Sequence, residues 1–344
     1  MGVAQSTKVH GNSTMSPQPL AITFFALLMQ SIALVQAQAS EAKLAYPSKP
    51  LQFIVPFAPG AIPDRIARLL GERLNKSWGQ PVVVVNRPGA GGVLAAETAA
   101  RSLPDGHTLI LGGPATHAVN VALFGSKLSY DPVTDFAPVS LVARIPMLLL
   151  VPANLPANSV KEFIALAKAK PGVLNYTSAG ISSSGHIAGG VFLSTASINI
   201  VHVPANGPVM ALQELVAGRM QLLFDTAALA MPQVRAGKLK ALAVTSRERM
   251  TVAPEVQTMI EAGVPGYDAE LWFAVFTSAR TPREIVARLQ LEIVEFFNAT
   301  AIRNQLASDG IEVSTSTPEE LAVFLRNEIS RWGRMVRESG VKAE

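Results

Sequence analysis

The chain contains no cysteine, and that single absence removes disulfides, thiolate metal sites, a cysteine nucleophile and a lipid-modified cysteine together. Charge is scarce as well. Asp, Glu, Lys and Arg make up 16% of the 344 residues, against about 25% in an average globular protein. The 29 basic and 25 acidic residues leave a formal charge of +4, and the basic ones are scattered from Arg65 to Lys342 without forming a cluster. A nucleic-acid footprint needs a clustered basic face, so nucleic acid is not an expected partner. Aromatic residues are few, at 6%, and the 49% hydrophobic content is mostly Ala, Val and Leu. That is enough apolar material to bury a large core and to exclude disorder for most of the chain. At roughly 100–200 residues per domain, the length suggests two domains, or three if the front end is structural.

Long apolar runs are missing too, with one exception. Residues 20–35 form a sixteen-residue apolar stretch broken only by Thr23, Gln30 and Ser31. It is shorter than the about 20 residues of a membrane span. Ala37-Gln38-Ala39 follows directly and supplies the small residues that signal peptidase requires. The expectation is a signal peptide over residues 1–39, cleaved before Ser40, and an exported, soluble mature chain.

Behind the signal, aliphatic and β-branched runs recur at residues 51–57, 82–85, 108–111, 147–151, 198–203, 220–224, 239–245 and 271–277. Helical patterns lie between most of them. Apolar strands alternating with helices point to an α/β fold with parallel sheet. Three helix starts are marked: Ser159 to Glu162 reads as a capping box, and Thr281-Pro282-Arg283-Glu284 and Thr317-Pro318-Glu319-Glu320 read as boxes with Pro at the first helical position.

Three strand ends run into loops of small residues ahead of a helix. They are Pro59-Gly60-Ala61-Ile62-Pro63-Asp64, then Gly112-Gly113-Pro114-Ala115-Thr116-His117, then Ala179 through Ser182, Ser183, Ser184, Gly185 and His186. Ligands of open α/β sheets sit outside the carboxyl ends of strands, where helix N-termini offer free N–H groups. Enzyme motifs are missing. Asn86 through Leu94 resembles the dinucleotide fingerprint, but Leu94 stands where a third small residue belongs and no acidic residue follows about 20 positions on. There is no Walker A sequence, no HExxH pair and no G-x-S-x-G elbow. The serine run beside His186 is explained by helix capping, and the other histidines lack metal-ligand spacing. Neither catalysis, nor a cofactor, nor a metal is expected.

Tyr46-Pro47-Ser48-Lys49-Pro50, followed by Ile54-Val55-Pro56-Phe57-Ala58-Pro59-Gly60 and Asp64, resembles the opening of the tripartite tricarboxylate transporter substrate-binding proteins, also called Bug receptors. The likeness continues through Gln80 to Gly92, Pro104-Asp105-Gly106, Tyr130-Asp131-Pro132, Asp135 to Val139, Ser184-Gly185-His186, His202-Val203-Pro204, Phe224-Asp225, Ala236 to Leu239 and Ala241 to Ser246. It covers nearly the whole mature chain, and the order and spacing of these motifs carry it.

The resemblance implies a two-lobed α/β periplasmic binding protein of the Venus-flytrap kind, closing on a small carboxylate or its amide. It divides the chain into a first lobe of residues 40–147 and 272–344 and a second lobe of 148–271, with hinge crossings near 145–148 and 270–273. It implies a monomer that delivers its ligand to the membrane permease subunits of a tripartite tricarboxylate transporter. A periplasmic sensor for a signalling partner and a secreted hydrolase are the alternatives. Carried over residue by residue, it implies ligand contacts at Pro59, Gly60, Ala61 and Asp64, at Thr116 and His117, at Ser182, Ser183, Ser184 and His186, and at Asn206 and Asp225. Ala205 and Asn206 replace a family Tyr-Lys pair, so the expected lining holds two carboxylates and neither Lys nor Arg.

Overall fold

The structure is a computed structural model and describes residues 1–2, 46–181 and 183–339. The expected signal segment, its processing site and Ser182 lie outside the described residues. Residues 1–48 and 49–344 are separate units, and the second carries both sheets.

The strands are β1 (Leu51–Val55), β2 (Val82–Asn86), β3 (Thr108–Gly112), β4 (Phe136–Ile145), β5 (Met147–Pro152), β6 (Asn175–Ser178), β7 (Val201–Pro204), β8 (Leu222–Thr226), β9 (Leu239–Val244), β10 (Leu271–Ser278) and β11 (Glu312–Val313). Helices α1 (Ile62–Trp78), α2 (Val93–Ala100) and α3 (Asn120–Phe124) precede β4, and α4 (Val160–Ala169), α5 (Ser184–Ala196), α6 (Pro208–Val216) and α7 (Ala227–Arg235) alternate with the strands of the second sheet. The chain closes with α8 (Arg283–Asn298), α9 (Thr300–Ala307) and α10 (Pro318–Ser339).

Strands assemble in the orders β11-β4-β10-β3-β1-β2 and β7-β6-β8-β5-β9. Strand direction explains the architecture. β1 pairs in parallel with β2 and β3, and β6 with β7 and β8, as strands joined through helices do. The antiparallel strands are those entered from the other sheet. β4 ends at Ile145 in the first sheet, and one residue later β5 begins at Met147 in the second, antiparallel to β8. The return is made by β10, antiparallel to β3 and β4. A strand that enters a sheet at the edge where its neighbours end must run against them. Register confirms the edge: Met147 lies opposite Thr226, the last residue of β8, and Leu271 lies opposite Ile145, the last residue of β4. The C-terminal strand ends of both sheets therefore lie on the crossing side.

All eight runs read from the sequence contain strands. β4, β6 and β11 were not among them, for physical reasons. β4 contains Pro138, tolerated because β11 pairs only with Ala143 and Arg144 and leaves the rest of β4 an edge. β6 is the polar sequence Asn-Tyr-Thr-Ser, and β11 has only two residues.

Capping was read correctly at two helices and not at the third. Ser159 Oγ accepts from Glu162 N at 3.1 Å, and Thr317 and Glu320 bond reciprocally at 2.8 and 3.2 Å. At α8 the N-cap is Pro282, with no side-chain cap. The buried Thr281 hydroxyl instead donates to Ser278 O at 2.7 Å, because the turn folds it inward.

α10 ties the two sheets together. Its buried positions Leu321, Leu325, Glu328, Trp332, Met335 and Val336 follow helical spacing. Leu321 and Leu325 pack with Phe136, Trp272 and Phe276 of the first sheet. Trp332, Met335 and Val336 join Ile187, Ala188 and Val191 of α5 under the second. Trp332 is fully buried and donates to Glu328 Oε2 at 3.0 Å. Trp332→Ala is expected to destabilise the fold by about 3–5 kcal/mol, the range for truncating a buried large aromatic. Urea unfolding measures it, and a loss under about 1 kcal/mol would contradict the bridging role.

Candidate functional site

The loops that leave the C-terminal strand ends carry the sequence-predicted residues. From the first sheet come the loop after β1, with Pro59 and Gly60 exposed and Ala61 half-buried, and the turn after β3 with Thr116 and His117. From the second come the turn after β6 with Ser183, Ser184 and His186, the turn after β7 with exposed Asn206, and Asp225 near the end of β8.

Asp64 stands in the first turn of α1, buried to 2% exposure. Its carboxylate is turned into its own loop. Oδ2 accepts from Gly60 N–H at 2.9 Å and Arg68 Nε at 2.9 Å, and Oδ1 accepts from Asn86 Nδ2 at 2.8 Å. Asn86 also donates to Phe57 O at 3.0 Å. Asp64 thus ties the loop after β1 to the end of β2. Arg68 was missed as a member of this group, and it places a cation beside Asp64. Its i+4 spacing from Asp64 was the available signal; the role of Asn86 emerges only from strand pairing.

The turn after β3 is buried rather than open. Residues Ala115–Val119 form a π-type turn, a feature frequent at functional sites, but Thr116 and His117 have no exposed surface. Thr116 Oγ1 lies 2.8 Å from His117 Nδ1, and the ring stacks on Phe276 with centroids 4.1 Å apart. A Cβ on Gly112 would sit 2.5 Å from that ring, so the glycine there makes room for the imidazole. Burial lowers the His117 pKa to about 3, which keeps it neutral.

In the second sheet Ser183 caps α5, accepting from His186 N at 3.3 Å. The next glycine is required by contact, since a Cβ on Gly185 would lie 2.7 Å from Phe224 O. His186 stacks on His202 at 3.8 Å and 10°, and His202 Nε2 lies 2.9 Å from Ser178 Oγ. Burial lowers both, His202 to about 4 with His186 contributing. Asp225 is 8% exposed; Oδ1 accepts from Thr226 N at 2.7 Å while Oδ2 is buried with no partner.

These loops are the expected seat of a small ligand, and comparison with known proteins gives the class. Residues 66–341 match the family model described as tripartite tricarboxylate transporter family receptor. The chain belongs to that receptor family. Such receptors bind solutes; they are not enzymes. Protein BugT of Bordetella pertussis is 37% identical over 300 residues, covering 86% of this chain and 91% of its own. Among solved receptor structures, R. palustris Rpa4515 with adipate has a TM-score of 0.79 at 35% identity, covering 86% of this chain and 99% of its own. MatC from Rhodopseudomonas palustris with bound malate has a TM-score of 0.75 at 36% identity, covering 85% and 100%. The two-lobed receptor fold is the one described above.

Asp64 and Asp225 titrate in opposite senses. Burial would raise Asp64, but hydrogen bonds from Arg68, Gly60 N–H and Asn86, with the Arg68 charge, outweigh it and hold the pKa below the ordinary value. The ionised form stabilises the fold above the unfolded-state pKa, and this is lost as pH falls through the lowered value. Burial raises Asp225 to about 7, opposed by hydrogen bonds from Thr226. Its contribution is full below the unfolded-state value and is lost as pH rises through about 7. Asp225→Asn is therefore expected to gain on the parent by up to about 1.4 kcal/mol per pH unit between about pH 4 and 7. Asp64→Asn should lose about 2–3 kcal/mol near neutrality, a difference that closes toward acid. Urea unfolding across pH measures both; parallel profiles for parent and variants would contradict the assignment.

Proposed function

We propose that this chain is an exported receptor that takes a small organic carboxylate, or its amide, between the two facing strand edges and delivers it to the membrane subunits of a tripartite tricarboxylate transporter. Residues 1–39 act as the cleaved signal. The lobes comprise residues 40–147 with 272–344, and 148–271, and closure is a hinge motion at the two crossings. The observation that carries the reading is the pair of family structures holding adipate and malate, each at about one-third identity and matching most of this chain.

Low ligand charge is favoured. Asn206 and Ala205 bring no cation to the second lobe's turn, and Arg68 is already engaged with Asp64. Neutral donors satisfy one carboxylate more readily than three. Thermal denaturation of purified residues 40–344 with adipate, malate, their amides and citrate tests the proposal, because a ligand bound only by the native state raises stability by RT ln(1 + [L]/Kd). A mono- or dicarboxylate, or an amide, should raise the Tm by several degrees and citrate by less. No shift with any of them would refute the receptor reading, and the largest shift with citrate would refute the low-charge site.

A further inference from the structure

Two buried side-chain oxygens of the second sheet have no hydrogen-bond partner among the described residues: Thr177 Oγ1 and Asp225 Oδ2. They share a face. β6 and β8 run in parallel with Tyr176 opposite Leu222 and Thr177 opposite Leu223. Tyr176, Leu222 and Phe224 point into the cluster beneath α5 and α10. Thr177, Leu223 and Asp225 therefore point to the other face, where Leu148, Leu223, Ala211 and Ala227 pack under α6 and α7. α6 packs on that face through Ala211, Leu212 and Leu215, and its N-cap, Gly207, offers no side-chain acceptor to the first-turn N–H groups. An unpaired hydroxyl and an unpaired carboxyl oxygen thus lie on one face near the C-terminal ends of β6 and β8, the face on which the uncapped α6 packs.

Among the described residues, no cation faces this group from any element packed on β8. β5 has no titratable residue. Tyr176 of β6 and His186 of α5 belong to the opposite face. Glu214 of α6 is paired with Arg219, and Arg235 is exposed in the last turn of α7. Asp309, next to the Gly310 that abuts Ala227, is paired with Arg65. Two carboxylates cannot share a hydrogen bond unless a proton lies between them.

We propose that Asp225 receives the ligand as a carboxylic acid: its Oδ2–H donates to one oxygen of a ligand carboxylate, Thr177 Oγ1–H donates to the same group, and the α6 N-terminus faces its charge. The inference rests on the carboxylate-receptor reading above. In balance, an Asp225 carboxylate, one proton from solvent and the ligand anion give Asp225–COOH hydrogen-bonded to an unchanged ligand carboxylate; the O–H bond on Asp225 is the only covalent bond formed. The neutral acid supplies the donor that a missing Lys or Arg would supply. The raised pKa of Asp225, caused by burial, places this proton within the neutral range.

Calorimetric titration of residues 40–344 with adipate and with malate, from about pH 6.5 to about pH 8.5 in two buffers of different protonation enthalpy, tests this. Affinity should weaken toward about tenfold per pH unit above pH 7, with one proton taken up per ligand. Asp225→Asn, which keeps a neutral donor, should give an affinity that does not change with pH. Thr177→Val should weaken binding about five- to tenfold while retaining the pH profile. Binding that is flat with pH and takes up no proton would overturn the proposal, as would affinity that rises with pH, the signature of an ionised Asp225 accepting from the ligand. If neither ligand binds and no carboxylate shifts the Tm, the receptor reading fails and takes this inference with it.

Discussion

Strand direction is the constraint on which the rest of the molecule depends. A chain that passes from one sheet to the other, and back, at the edge where the parallel strands end must enter each sheet antiparallel to its neighbours, as β5 and β10 do. The consequence is functional. Every loop that follows a parallel strand opens on the same side as the two crossings, and the helix N-termini that succeed those loops open there as well. The loops at the strand ends and the two crossings between the sheets are thus placed on one side by one topological choice. α10 packs its first half on one sheet and its second half under the other.

The two aspartates near these edges show how the same side chain does opposite work. Asp64 is buried among three donors, one of them Arg68, and its charge holds the loop after β1 to the end of β2. Asp225 is buried with Thr226 as its donor and no cation, so its environment favours the proton. One is a fixed anion that shapes a loop; the other is a group whose charge responds to pH. The difference comes from neighbours contributed by other elements, not from either local sequence.

That contrast also marks what could be read from the chain alone. Strand runs, two of the three capped helix starts and the loops at strand ends were legible, because periodicity, capping chemistry and small-residue turns are local signals. β4 was hidden by Pro138, which is harmless on an unpaired edge but looks like a strand breaker in sequence. The candidate site residues could be placed in their loops from the sequence, but their orientations could not. His117 lies in the turn after β3 and packs against Phe276, and Asp64 lies in the first turn of α1 and faces Gly60 and Asn86. Thr177 gave no signal at all, since its meaning depends on the parallel register of β6 with β8.

The central claim is that one ligand is held by both strand edges at once. Hydrogen–deuterium exchange of residues 40–344 with and without saturating adipate tests it most directly, because amide protection reports where local opening is suppressed. The account predicts slowed exchange in the first sheet's loop at residues 57–64 together with the second sheet's segments 183–187, 205–209 and 225–228. Protection confined to one sheet, or to the groove along the outer edge of β2 lined by Arg68, Gly71, Lys76 and Val82, would contradict it.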